Sequence, residues 1–102
     1  MAHLVVMYKT PKDAAAFDKH YSEIHIPLAK KIPGLKKYEI SQGPVATPAG
    51  PSGLHLVATL YFDNLADIQK AFASAEGKAA AADVQKFATG GVEMLLFDNR
   101  EV

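Results

Sequence analysis

The chain opens on an apolar run, His3-Leu4-Val5-Val6-Met7-Tyr8, that stops at Thr10-Pro11. Its β-branched and aromatic residues predict a strand, and its lack of alternation predicts burial on both faces. From 12 to 32 the period changes. Phe17, Tyr21, Ile24, Leu28 and Ile32 recur every three or four residues and draw one apolar stripe along a helix. Thr10 is placed to cap that helix, with Pro11 at its first position. Pro27 has no backbone N–H, so the helix should kink or restart near Ile24 to Ile26, and Pro33-Gly34 should stop it. A second strand is predicted over 35–43. A third runs from Leu54 to Phe62 with an apolar residue at every even position. Between them, 43–53 holds three prolines and three glycines and reads as a mobile surface loop. Asp63 or Asn64 caps a second helix with Leu65, Ile68 and Phe72 on one face. A further helix follows Ser74 with Val84 and Phe87 turned inward, and Gly90-Gly91 ends it. The last strand is Val92 to Phe97.

The order β-α-β-β-α-β predicts an α+β, ferredoxin-like fold: a four-stranded antiparallel sheet with helices on one face. The other face should then be polar in a monomer. Instead, the first, third and last strands carry apolar residues at most positions of both parities, and an exposed face of that kind associates. The pattern therefore predicts a homodimer with the two open sheet faces against each other.

Composition narrows the picture further. A length of 102 residues fits one domain, 1–102. Eleven basic residues balance eleven acidic ones, which argues against nucleic acid and anionic membranes as partners. There is no cysteine, so thiol chemistry, disulfides and zinc–thiolate sites are excluded. No apolar run approaches the ~20 residues of a membrane span, and the start lacks a signal-peptide pattern, so a cytoplasmic location is expected. Hydrophobic residues at 49% are abundant for so small an interior.

The polar residues that carry chemistry gather in His20-Tyr21-Ser22-Glu23-Ile24-His25-Ile26-Pro27. On a regular helix, His20 lies about 60° to one side of the apolar stripe and His25 about 80° to the other. His20 is expected to bond Glu23 or solvent. A metal site from His20, Glu23 and His25 would require the helix to break at Ile24, and none is predicted. His25 stands where Pro27 disturbs the helix. It is either a capping residue or an acid/base group facing a cavity. Tyr38, on the second strand, points either into the same cavity or to solvent. His55 and Tyr61 share parity on the third strand, and His55 follows the Pro/Gly loop. A helix-break histidine with strand His and Tyr groups in an apolar shell describes a small-molecule pocket. No phosphate-binding glycine motif is present, and no cofactor is predicted.

The stretch Phe17-Asp18-Lys19-His20-Tyr21-Ser22-Glu23-Ile24-His25-Ile26-Pro27-Leu28-Ala29, followed by Pro33-Gly34-Leu35-Lys36-Lys37-Tyr38, resembles the EthD family. Asp83-Val84 in the last helix and a glycine-led last strand fit as well. The family takes its name from a gene cluster for degrading ethyl tert-butyl ether. The resemblance implies a dimeric α+β barrel. It also implies roles for His25 and Tyr38, since the matching histidine and tyrosine of the similar methylmuconolactone methylisomerases lie in the active site. His55 corresponds loosely to a further histidine there. An assisting cysteine of those enzymes has no counterpart here. The expected function is a cofactor-independent enzyme of the isomerase, cyclase or oxygenase kind, acting on a small apolar oxygenated metabolite in catabolism. His25 would be the acid/base and Tyr38 would polarise a substrate oxygen. His20, Tyr21, His55 and Tyr61 would contact substrate. The alternatives are a non-catalytic carrier of a hydrophobic small molecule, or a haem-binding or haem-degrading protein.

Overall fold

A computed structural model describes all 102 residues. The elements run β1 (Ala2–Lys9), α1 (Ala14–His20), a π-helical turn (Tyr21–His25), α2 (Ile26–Ala29), β2 (Lys37–Ile40), β3 (Ala46–Thr47), β4 (Gly50–Pro51), β5 (Leu54–Phe62), α3 (Leu65–Ala73), α4 (Ala75–Phe87) and β6 (Val92–Asp98). The main sheet has four strands in the order β2-β5-β1-β6, every neighbour antiparallel. It is the ferredoxin-like sheet, with its helices on one face.

Register decides which side chains meet the helices. Leu4 pairs with Leu60 and Val6 with Ala58, so the even positions of β1 and β5 share a face. That face builds the core with Phe17, Tyr21 and Ile32, with Ile68 and Ala71 of α3, and with Ala80, Val84 and Phe87 of α4. Tyr38 pairs with Leu60, which turns it to the same side. The odd positions His3, Val5, Met7, Val57, Thr59 and Tyr61 lie on the opposite face and are half-buried. β1 is therefore buried on one face within a single chain, where burial on both was expected. No second layer of the same chain covers the other side.

The first helix departs from expectation at its start. It starts at Ala14, not at Pro11, because the Asp13 carboxylate accepts the Ala16 N–H at 3.1 Å from an extended backbone position. At the other end the helix restarts at Ile26, as Pro27 predicts, through a π-helical turn. The chain widens at Tyr21–His25, where the Ile26 N–H donates to the Tyr21 carbonyl five residues back, and Pro27 lies in the first turn of α2. In a regular helix the Pro27 ring would press on the Glu23 carbonyl and leave it without a donor, and the wider turn absorbs that conflict. Within 43–53 a two-stranded hairpin forms, with Ala46 opposite Pro51 and Thr47 opposite Gly50.

Candidate functional site

One cavity lies between the helix layer and the sheet. It holds about 70 Å³ and opens to solvent, and its walls are almost wholly apolar, with Leu4, Val6, Ala58 and Leu60 as the floor. That is several times the space one water molecule requires. Polar atoms enter it from Tyr8, Tyr21, His25 and Tyr38 only. Tyr21 and His25 come from the π-helical turn, Tyr8 from β1 and Tyr38 from β2.

His25 is 6% exposed. Its Nδ1 lies 3.0 Å from Oδ2 of Asp83, itself 3% exposed, on α4. The other carboxylate oxygen, Oδ1, lies 2.9 Å from His20 Nε2. Histidines at i and i+5 diverge on a regular helix. The π-helical turn, whose repeat is wider, brings both to one carboxylate. His20 thus bonds Asp83, not Glu23, and His20, Glu23 and His25 do not converge on a metal-binding group. Burial pushes Asp83 up, but the hydrogen bonds and charges of the two imidazoles outweigh it and hold the carboxyl below its usual range. Burial pushes the His25 imidazole below its ordinary value, and the Asp83 carboxylate opposes that only in part. An ionised Asp83 accepts from Nδ1–H, so neutral His25 keeps Nε2 as a free acceptor. The Phe87 ring packs on the imidazole with centroids 4.8 Å apart and holds its plane.

The Tyr21 and Tyr38 hydroxyls are 2.5 Å apart. Burial raises both phenols, and the neighbouring Tyr38 raises Tyr21 further. Both therefore stay protonated. In such a pair one hydroxyl donates to the other, so one proton is left for a ligand. The arrangement offers a neutral base and a phenol donor within one apolar cavity. These are the parts of general acid–base chemistry on an oxygenated substrate.

An EthD domain model matches residues 9–91. The chain belongs to the EthD family. An uncharacterized 11.0 kDa protein of Rhodococcus erythropolis, from the thcB-thcC intergenic region, is 42% identical over 102 residues, covering 100% of this chain and 98% of that one. The crystal structure of an EthD family protein from Bacillus halodurans superposes with a TM-score of 0.89 at 35% identity, covering 98% of this chain and 99% of that one. SnoaB of Streptomyces nogalater, a cofactor-independent oxygenase, shares the fold with a TM-score of 0.68 at 15% identity, covering 99% of this chain and 94% of that one.

In this EthD chain His25, Tyr21 and Tyr38 share the cavity, whereas His20 backs it from behind Asp83. His55 and Tyr61 lie elsewhere. The pairing of β1 and β5 slips so that Tyr8 faces Leu56 and Lys9 faces Leu54, which leaves His55 as the extra residue of a bulge. Its Nε2 is 2.7 Å from Asp18 Oδ1 and its ring packs on Phe17, outside the cavity. Tyr61 is on the open face, where it donates to Glu39 at 2.6 Å and packs edge-on against His3. Sequence reasoning missed Tyr8 and Asp83 as site residues. For Tyr8 the available signal was its even position at the end of β1, on the core face. For Asp83 it was an acid on the apolar side of an amphipathic helix, one residue before Val84.

Proposed function

We propose that this protein is a cofactor-independent enzyme acting on a small, mostly apolar, oxygenated metabolite, with His25 as its general acid/base and Tyr38 polarising a substrate oxygen. The observation that carries the reading is the buried His25, tied through Nδ1 to Asp83, with no protein partner on Nε2, on the wall of an apolar cavity that the Tyr21–Tyr38 pair also lines. A carrier needs no buried carboxylate to set the tautomer of an imidazole, whereas a base does. Proton transfer to and from His25 Nε2 needs no redox partner. The fold shared with a cofactor-independent oxygenase is consistent with chemistry done by side chains and substrate alone. Turnover of a panel of lactones and of cyclic and aromatic ketones, followed by mass spectrometry, tests it. His25→Ala and Tyr38→Phe should each lower the rate at least about a hundredfold while the fold persists. Full activity in both variants overturns the assignment.

The working unit in this reading is a homodimer joined through the open sheet faces. On β6, Leu95 and Phe97 pair with Val5 and His3 on the open face and are 53% and 41% exposed, and the odd positions of β1 and β5 add Met7 and Val57 beside them. A continuous apolar face of this kind is covered by a second copy at the least cost, since a twofold axis pairs the same surface with itself.

A further inference from the structure

Tyr8 closes the core-facing row of β1 after Ala2, Leu4 and Val6, and it is 1% exposed. Its ring is clamped by Phe17 at 5.4 Å, Tyr21 at 5.7 Å and Phe87 at 5.4 Å between centroids. A ring held on three sides has one orientation, and that orientation puts the phenol on the cavity wall. The hydroxyl makes no hydrogen bond to the protein. The cavity's only hydrogen bonds between side chains are Tyr21 to Tyr38 and His25 to Asp83. Every fully enclosed side-chain nitrogen or oxygen of the chain is partnered, so the Tyr8 hydroxyl is not sealed in the core but opens onto the cavity. A phenol that opens onto an apolar cavity and has no partner in the protein is a donor available to whatever occupies the cavity.

We propose that Tyr8 is a substrate-recognition residue. Its hydroxyl and the free proton of the Tyr21–Tyr38 pair are two donors that select a neutral carbonyl compound on a small apolar body. The inference rests on the acid/base reading of His25 only for what happens after binding. The donor set disfavours charged ligands and bare hydrocarbons. No Lys or Arg lines the cavity, so a carboxylate or phosphate would lose its hydration without a counter-ion. An ammonium ion would meet phenol O–H groups, because both Asp83 oxygens are already engaged. A hydrocarbon would leave the donors unpaired. Burial holds the Tyr8 phenol well above its ordinary value, which keeps it a donor. With His25 Nε2 as base, the matching step is removal of a proton from the carbon beside the carbonyl. The C–H electron pair moves to the carbonyl oxygen, the enolate oxygen takes the phenol hydrogen bonds, and protonated His25 later returns the proton to carbon.

The probes are cyclohexanone and 2-cyclohexenone, with cyclohexanecarboxylate as the charged control. The expected result is saturable binding of a ketone to the wild-type chain and none of the carboxylate at neutral pH. The ¹³Cζ resonance of Tyr8 in tyrosine-labelled protein should move on ketone addition. In the Tyr8→Phe variant, affinity should fall about five- to tenfold and the C=O stretch of bound ketone should rise toward its value in apolar solvent. Failure of both ketones to saturate overturns the proposal. So does tighter binding of the carboxylate, or a Tyr8 resonance that stays put because cavity water alone serves the hydroxyl. The resonance is read on the wild-type chain and holds even if the variant folds poorly. Ketone binding without turnover of any substrate defeats the enzyme reading and spares this one. Turnover that needs His25 but ignores Tyr8 does the reverse.

Discussion

Asp83 is the residue on which the site turns, and it joins two histidines that a regular helix would separate. The consequence is a pH dependence of folding with a definite sign. Burial depresses the His25 pKa, so the unfolded chain takes up a proton near the ordinary histidine value of about 6.5 while folded His25 does not. Stability from this group is therefore present above that value and lost as pH falls below it. Asp83 is also depressed, so its contribution is present above the ordinary carboxylate range and is lost only as pH falls through its own lower value. Urea midpoints measured from pH 7.5 to pH 5 should decline for the wild-type chain, and His25→Gln should flatten that decline. An unchanged slope in the variant would show that the His25 pKa does not differ between the folded and unfolded chain. His25 and Tyr38 could be named as candidates from the chain because they stand in one recognisable stretch. Tyr8 and Asp83 stand outside it, and the contacts that bring them to the cavity and to the histidines come from side chains distant in sequence.

Helix α3 passes into α4 at a corner made by Ser74 and Gly77. The Ser74 hydroxyl accepts the Gly77 N–H at 3.0 Å and donates to the Ala71 carbonyl at 2.5 Å, so one side chain ends one helix and starts the next. A Cβ on Gly77 would press into the Ala71 carbonyl, a backbone atom that cannot turn aside. Helix propensity alone favours alanine over glycine by about 1 kcal/mol. Gly77→Ala should nevertheless destabilise the chain by about 1–3 kcal/mol, because the clash forces α3 and α4 apart. Urea unfolding gives the sign directly, and a stabilised variant would refute the close approach. The corner also supports the cavity wall, which Gly77, Ala80 and Ala81 share. The helix and strand positions followed from apolar period. The π-helical turn did not, because one extra residue per turn leaves no mark in a stripe read at three or four.

The whole chain presents an uncovered sheet face on which the last strand, β6, sets Leu95 and Phe97, 53% and 41% exposed, beside Val5 and His3. Pairing of two copies through that face predicts that the wild-type chain sediments at twice its chain mass. Leu95→Asp puts a charge at the 53% exposed position opposite Val5 and should yield a folded monomer with unchanged helical circular dichroism. A wild-type monomer at micromolar concentration would reject the sheet-face dimer. The sequence by itself determined the order of the four main strands and of the helices between them, the apolar face of β5 and of the helices, and the EthD motif. Those are local or periodic properties, and each element expresses them from its own neighbours along the chain. Only the tertiary structure decided which polar groups meet. It set Asp83 of α4 between His20 and His25, and Tyr8 of β1 beside the Tyr21–Tyr38 pair. It also sent His55 and Tyr61 elsewhere, through a one-residue bulge and through strand parity. The physical reason is that strand register and helix packing, which no periodicity encodes, fix the distances over which hydrogen bonds form.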